Sequence, residues 1–160
     1  MSLRAPIASD HQLARLLQIG VVLEEVVEAR STKHAQASDD SLDGDVARLL
    51  EHAAEESADH RKRLETLIDD LDAETVPFGE IKTLVEAQYE SDQDFDGILY
   101  DQLCNEETAY KFYDDLIEAV EASDATFSIE REHLLSVLEG IREEEADGVE
   151  EVTDLMEEHR

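Results

Sequence analysis

At 160 residues the chain is long enough for one domain with a real core, and its formal charge of −30 excludes a surface for nucleic acid or an anionic membrane, which both need Lys and Arg. A single cysteine, Cys104, excludes an internal disulfide and any site built on paired CxxC motifs. Two Pro, six Gly and no alternating apolar pattern exclude a strand-rich fold, and no apolar run is long enough to span a membrane.

The charge carries a further implication. Lysine is confined to Lys33, Lys62, Lys82 and Lys111, and arginine outnumbers it. Acidic excess with few lysines resembles the cytoplasmic proteins of salt-in halophiles; at molar salt the Debye length falls to about 3 Å, which screens carboxylate repulsion. The opening Met1-Ser2-Leu3-Arg4 has no apolar stretch of the signal-peptide kind, so a cytoplasmic location is expected.

A single domain over 1–160 is expected. Its first helix covers about 9–36, with Leu13, Leu17, Gly20, Glu24, Val27, Ser31 and His34 on one face. A polar loop from Ala37 to Gly44 supplies N-cap residues. The second helix, about 45–73, lines up Leu50, Ala53, Ser57, His60, Leu64, Leu67 and Leu71, with Glu56 at the border. Pro77 suits the first turn of a short helix over about 78–89. After an acidic break from Ser91 to Gly97, a third long helix covers about 96–121. Its core-facing series is Leu99, Leu103, Glu106, Tyr110, Tyr113, Ile117 and Val120. The last helix, about 128–158, aligns Leu134, Leu138, Ile141, Glu145, Gly148, Val152 and Leu155. Short loops within the first and last pairs make antiparallel neighbours, and one long connection with its own short helix separates the pairs. The expected fold is an all-α, ferritin-like antiparallel four-helix bundle with one long crossover.

Each long helix carries a Glu-Glu pair near its middle: Glu24-Glu25, Glu55-Glu56, Glu106-Glu107 and Glu144-Glu145. A Glu in an apolar stripe is costly unless its charge is compensated. At about 1.5 Å per residue, Glu24 and Glu56 lie about 16 residues either side of the first turn, and Glu106 and Glu145 about 18 and 21 from the second. One carboxylate from each helix therefore falls in a common layer, as a di-metal site in a bundle core requires. Acidic residues are 43 of 160, so any one pair is equally well a solvated face. The matched depth across four helices is what favours a site.

Three stretches resemble a known family. Glu106-x-x-Ala109-x-x-Phe112-Tyr113 resembles a helix of the rubrerythrin-like members of the ferritin-like superfamily. Ala54-Glu55-Glu56-Ser57-Ala58-Asp59-His60 resembles that family's metal-binding helix, and Ile141-Arg142-Glu143-Glu144-Glu145-Ala146-Asp147-Gly148 its counterpart in the second half. The resemblance implies a carboxylate-bridged di-iron oxidoreductase centre that reacts with oxygen or peroxide, or that handles iron. It also implies a homodimer or larger homo-oligomer and, without rubredoxin-like cysteines, a separate electron donor. The family pattern is one Glu from each of two helices and Glu-x-x-His from each of the other two. Glu24 and Glu106 match the single positions. His60 and Glu145 each match half of a pair, but Ser57 stands where a Glu is expected and Gly148 where a His is. With Glu56 one turn before His60, the expected metal ligands are Glu24, Glu56, His60, Glu106 and Glu145, whose hard oxygens suit iron, with manganese as the alternative. The expected function is ferrous oxidation, peroxide removal or iron handling. The competing reading is a non-catalytic bundle that serves as an interaction module with a degenerate site.

Other motifs have plainer explanations. Glu130-x-x-His133 falls in the first turns of its helix and reads as solvated surface; Asp92-x-Asp94-x-Asp96-Gly97 opens like a calcium loop but lacks the closing Glu, and helix capping explains it better. His34 reads as an end-of-bundle histidine, and Cys104 as a buried thiol. Tyr110 and Tyr113 are placed to hydrogen-bond site carboxylates, or simply to fill core.

Overall fold

The structure, a computed structural model, describes residues 7–37, 44–75, 79 and 97–158. Within them, apolar residues three and four apart form four helices and no strand: α1 (Asp10–Ala37), α2 (Gly44–Asp69), α3 (Ile98–Glu121) and α4 (Arg131–Glu158). The fold is the all-α four-helix bundle expected. Apart from Gly79, the short helix expected over 78–89 lies outside the described residues, as does the Asp92–Asp96 run.

Side-chain contacts fix the helix directions. Along α1 and α2, Arg61 meets Glu28 at 3.1 Å while Leu64 lies against Gly20. Along α1 and α3, Ser31 pairs with Gln102 and Glu24 with Tyr113. Arg142 meets Asp114 and Arg131 meets Val120 between α4 and α3. Between α2 and α4, His60 faces Glu145, and Ser128 just before α4 meets Asp72 just after α2. Every one of these neighbours is antiparallel, so α2 and α3 run the same way. The end of α2 and the start of α3 therefore lie at opposite ends of the bundle, about 39 Å apart at 1.5 Å per residue, and most of the long crossover expected between them lies outside the described residues.

Local chemistry sets the helix ends. Ser9 Oγ accepts from the Gln12 N–H at 3.3 Å, and Gln12 Oε1 accepts from the Ala8 N–H at 2.7 Å, a reciprocal cap for α1. The second helix stops at Asp69, earlier than the expected residue 73. The Asp70 N–H is shared between the carbonyls of Thr66 and Leu67, and Leu71 bonds back to Ile68, so the last turn tightens. Asp69, Asp70 and Asp72 crowd the negative end of the helix dipole there, which disfavours continuation. The third helix begins after Gly97, whose φ of 123° is open to glycine and strained for other residues. The fourth begins at Arg131 rather than at 128. Ser128 instead accepts from the Asp72 N–H through its hydroxyl and donates its own N–H to Asp10. Arg131 donates to the carbonyls of Val120 and Ala125 and so caps the end of α3 with a cation.

The core is divided along its length. Leu13, Leu17, Leu64, Leu67, Leu116, Ile117, Leu134 and Leu138 fill the end where α1 and α4 begin, each at most 2% exposed. Each such side chain contributes roughly 1.5–3 kcal/mol of burial free energy. Beyond Tyr113 the interior turns polar, with Glu24, Ser31, His60, Gln102, Asn105, Glu106 and Glu145 all buried. Leu50, Val46 and Val152 close the far side. The α3 stripe differs from the expected series at three positions: Tyr110 is 38% exposed and Leu99 and Leu103 are only half-buried, while Asp101, Gln102, Asn105, Ala109 and Phe112 face inward. At about 100° per residue, Tyr110 falls off the face that Glu106 and Tyr113 share with Ala109.

Candidate metal centre

Successive helical residues point about 100° apart, so the two members of each Glu-Glu pair are buried unequally, and in the α4 pair both reach His60. Glu24, Glu106 and Glu145 are buried, Glu56 is half-buried, and Glu55 and Glu107 are exposed. The centre is organised by His60 of α2, which is 0% exposed. Its Nδ1 lies 3.0 Å from Glu145 Oε1 and 3.4 Å from Glu24 Oε2. Its Nε2 lies 3.2 Å from Glu144 Oε1. The ligand atoms of Glu24, His60 and Glu145 fall within 4.8 Å of one another, and so do those of Glu56, His60 and Glu144. Either group could hold a metal ion.

Surrounding donors orient these carboxylates. The Tyr113 hydroxyl donates to Glu24 Oε1 at 3.0 Å. Gln102 Nε2 donates to Glu106 Oε1 at 2.9 Å, and Ser31 Oγ donates to Gln102 Oε1 at 2.8 Å, which fixes the amide. Arg63 grips Glu144 with two N–H groups, at 2.8 and 3.0 Å. The other oxygens of Glu24 and Glu106, Oε2 in each case, are buried with no hydrogen-bond partner. Buried carboxylate oxygens in this state call for a partner, and a cation, a water molecule or a shared proton would supply one.

The electrostatics follow the geometry. Burial raises Glu145 well above the usual carboxylate range, and the adjoining charges of Glu24 and Glu106 add to the rise. Burial also raises Glu106, with Glu24 adding to it, while the adjoining Glu145 and the Gln102 amide act against the rise. Glu56 is pushed up to about 7 by burial, with Glu106 and Glu144 adding and His60 and His52 opposing. For His60, burial alone would lower the pKa, but the Glu24 carboxylate 3.4 Å away, helped by Glu56 and Glu144, prevails and raises it. Glu144 is lowered overall: burial acts upward, but Arg63 and His60 outweigh it. The residues fit a metal on chemical grounds, since oxygen donors and one imidazole converge where positive charge is short.

All five expected ligands lie in this region. Glu24, His60 and Glu145 come together most tightly. Glu56 faces the opposite side of His60, and Glu106 adjoins Glu145 without joining either close group. Gly148 acquires a specific role. A Cβ there would lie 2.7 Å from Glu106 Cδ and closer still to Oε2, so the Glu106 carboxylate occupies the space that a side chain at 148 would fill. Gly148, Glu106, Glu56, His52 and Glu151 also line a narrow cleft with room for about one water molecule. Ser57 is buried and contributes no carboxylate.

Glu144, Gln102 and Arg63 take part in the site without being marked by the periodicity of their own helices. Glu144 enters the sequence pattern only as the neighbour of Glu145. The signal that would have found it is Arg63, one turn after His60, whose antiparallel partner position on α4 is Glu144. Of the two tyrosines, Tyr113 bonds a site carboxylate and Tyr110 lies at the surface. His34 pairs with Asp101 near the end of α1, Cys104 is half-buried, and Glu130 and His133 are exposed. No helix among the described residues is long and apolar enough to cross a membrane. No known protein family, characterised protein or solved structure matches this chain.

Proposed function

We propose that this protein is a ferritin-like, rubrerythrin-like metal-binding protein whose bundle core holds iron, with manganese as the alternative, for iron handling or defence against oxidants. The observation that carries this reading is the pair of buried, unpartnered oxygens, Glu24 Oε2 and Glu106 Oε2, in a cluster whose carboxylates outnumber its imidazole. Glu24, His60 and Glu145 would hold the ion, with Glu106 and Glu56 beside them. Bound iron would supply one-electron chemistry toward oxygen or peroxide. Tyr113 and Gln102 keep the Glu24 and Glu106 carboxylates aimed inward, and a narrow cleft with room for about one water molecule lies between Glu56 and Gly148. Electrons would come from a separate donor, since Cys104 is the sole cysteine.

The test is anaerobic titration of metal-free protein with Fe(II) and Mn(II) in high salt, followed by exposure to oxygen or peroxide. Saturable binding that Glu24→Gln and His60→Gln abolish, with ferrous oxidation faster than in buffer, supports the proposal. Binding without faster oxidation would leave an iron-holding protein. Absence of binding would favour the second reading, a bundle serving as an interaction module, for which Ser57 and Gly148 at ligand positions speak.

A further inference from the structure

The two faces of His60 are not equivalent. On the Nε2 side, Glu144 already has a cation, because the Arg63 guanidinium binds both of its oxygens. On the Nδ1 side, Glu24 and Glu145 face the ring and no arginine or lysine pairs with them among the described residues. Glu24 Oε2, on a side chain 0% exposed, lies 3.4 Å from Nδ1 and lacks a hydrogen-bond partner. Glu106, 5% exposed, leaves its own Oε2 unpartnered beside Glu145.

We infer that Arg63 stands in for a second metal ion, so that the centre takes one divalent ion, on the Nδ1 side of His60 between Glu24 and Glu145. This rests on the metal-binding reading above and departs from the two-ion centre that the family resemblance implies. Three physical points support it. Arginine keeps its charge at every relevant pH, so Glu144 remains neutralised and a second divalent ion would sit beside a fixed positive group. A neutral imidazole has one lone pair and one N–H, so ions on both nitrogens would require its last proton to leave. With Glu144 anchored by Arg63 as the acceptor for Nε2–H, the lone pair is directed to the Nδ1 side, in the way a carboxylate partner sets the tautomer of a metal-bound histidine. Glu56 is then a rim carboxylate of the cleft and not the ligand of a second ion.

The experiment counts ions. Metal-free wild-type protein, Arg63→Gln and Arg63→Lys are titrated with Mn(II) in high salt, and bound ions per chain are measured by calorimetry and native mass spectrometry. Wild type and Arg63→Lys should bind one ion. Arg63→Gln should bind two, the second more weakly through Glu56 and Glu144. Independently, nitrogen NMR of 15N-histidine protein loaded with Zn(II) should show Nδ1 bound to metal and Nε2 protonated, which decides the matter even if Arg63→Gln does not fold. Two ions in wild type, a single ion in folded Arg63→Gln, or metal on Nε2 would overturn the inference while leaving the metal-binding reading intact. Failure of every protein to bind any ion would remove both.

Discussion

Gly148→Ala offers a sharp test of how the centre is built. In an unobstructed helix interior this change gains about 1 kcal/mol. Here the new Cβ would meet Glu106 Cδ at 2.7 Å and Oε1 at 3.2 Å. The carboxylate can yield only by loosening the 2.9 Å bond from Gln102 or by pressing on Glu145. Overpacking of this kind costs about 1–3 kcal/mol, so the single variant should range from neutral to about 2 kcal/mol less stable. Once Glu106→Ala has removed the carboxylate, the same Gly148→Ala change should stabilise by about 1 kcal/mol. The coupling between the two positions is then about 1–3 kcal/mol, read from urea denaturation of wild type, both single variants and the double variant in high salt. In parallel, Mn(II) affinity of Gly148→Ala should fall about 10–100-fold, the usual effect of disturbing a metal site's support. Additive energies, with coupling under about 0.5 kcal/mol, would refute the claim that Glu106 occupies the space over Gly148.

Three further outcomes are expected. Glu56 is held near 7 in the folded protein against 4.5 when unfolded, so the native state keeps the extra proton between those values and metal-free stability falls as pH rises through that window. His60, also raised, contributes stability that is present below 6.5 and lost as pH rises further. Mn(II) displaces the His60 proton as a ligand and that of nearby Glu56 through its charge, so its affinity should climb over the same range; thermal midpoints with and without Mn(II) should trend oppositely with pH, and parallel trends would contradict the site. Tyr113→Phe removes the hydroxyl that donates to Glu24 at 3.0 Å and should cost about 1.5–3 kcal/mol in denaturant unfolding; an unchanged midpoint would mean that the hydroxyl does not hold Glu24. With a net charge of −30, the protein's thermal midpoint should rise between about 0.1 and 3 M KCl as screening tightens, and a flat response would count against the halophile-type reading.

The sequence by itself determined the four long helices and the unequal burial within each Glu-Glu pair. Both follow from the 3.6-residue period, which is local and survives in any tertiary arrangement. It also determined that two short turns and one long connection would give antiparallel pairs with a crossover, because chain length limits where a helix can return. Placing Glu24, Glu106 and Glu145 in a common layer needed only a count along the helices. What tertiary structure alone decided is how the space inside that layer is divided. Ser57 and Gly148 read as losses when each helix is considered separately. In the bundle, Gly148 is the gap into which Glu106 of the facing helix extends. Likewise, Arg63 and Glu144 are ordinary surface charges in the sequence, and only the alignment of α2 with α4 joins them against His60. Periodicity says which way a side chain points from its own axis. It cannot say which side chain from another helix arrives at the same point, and that meeting decides where a cation is missing and where one is already in place.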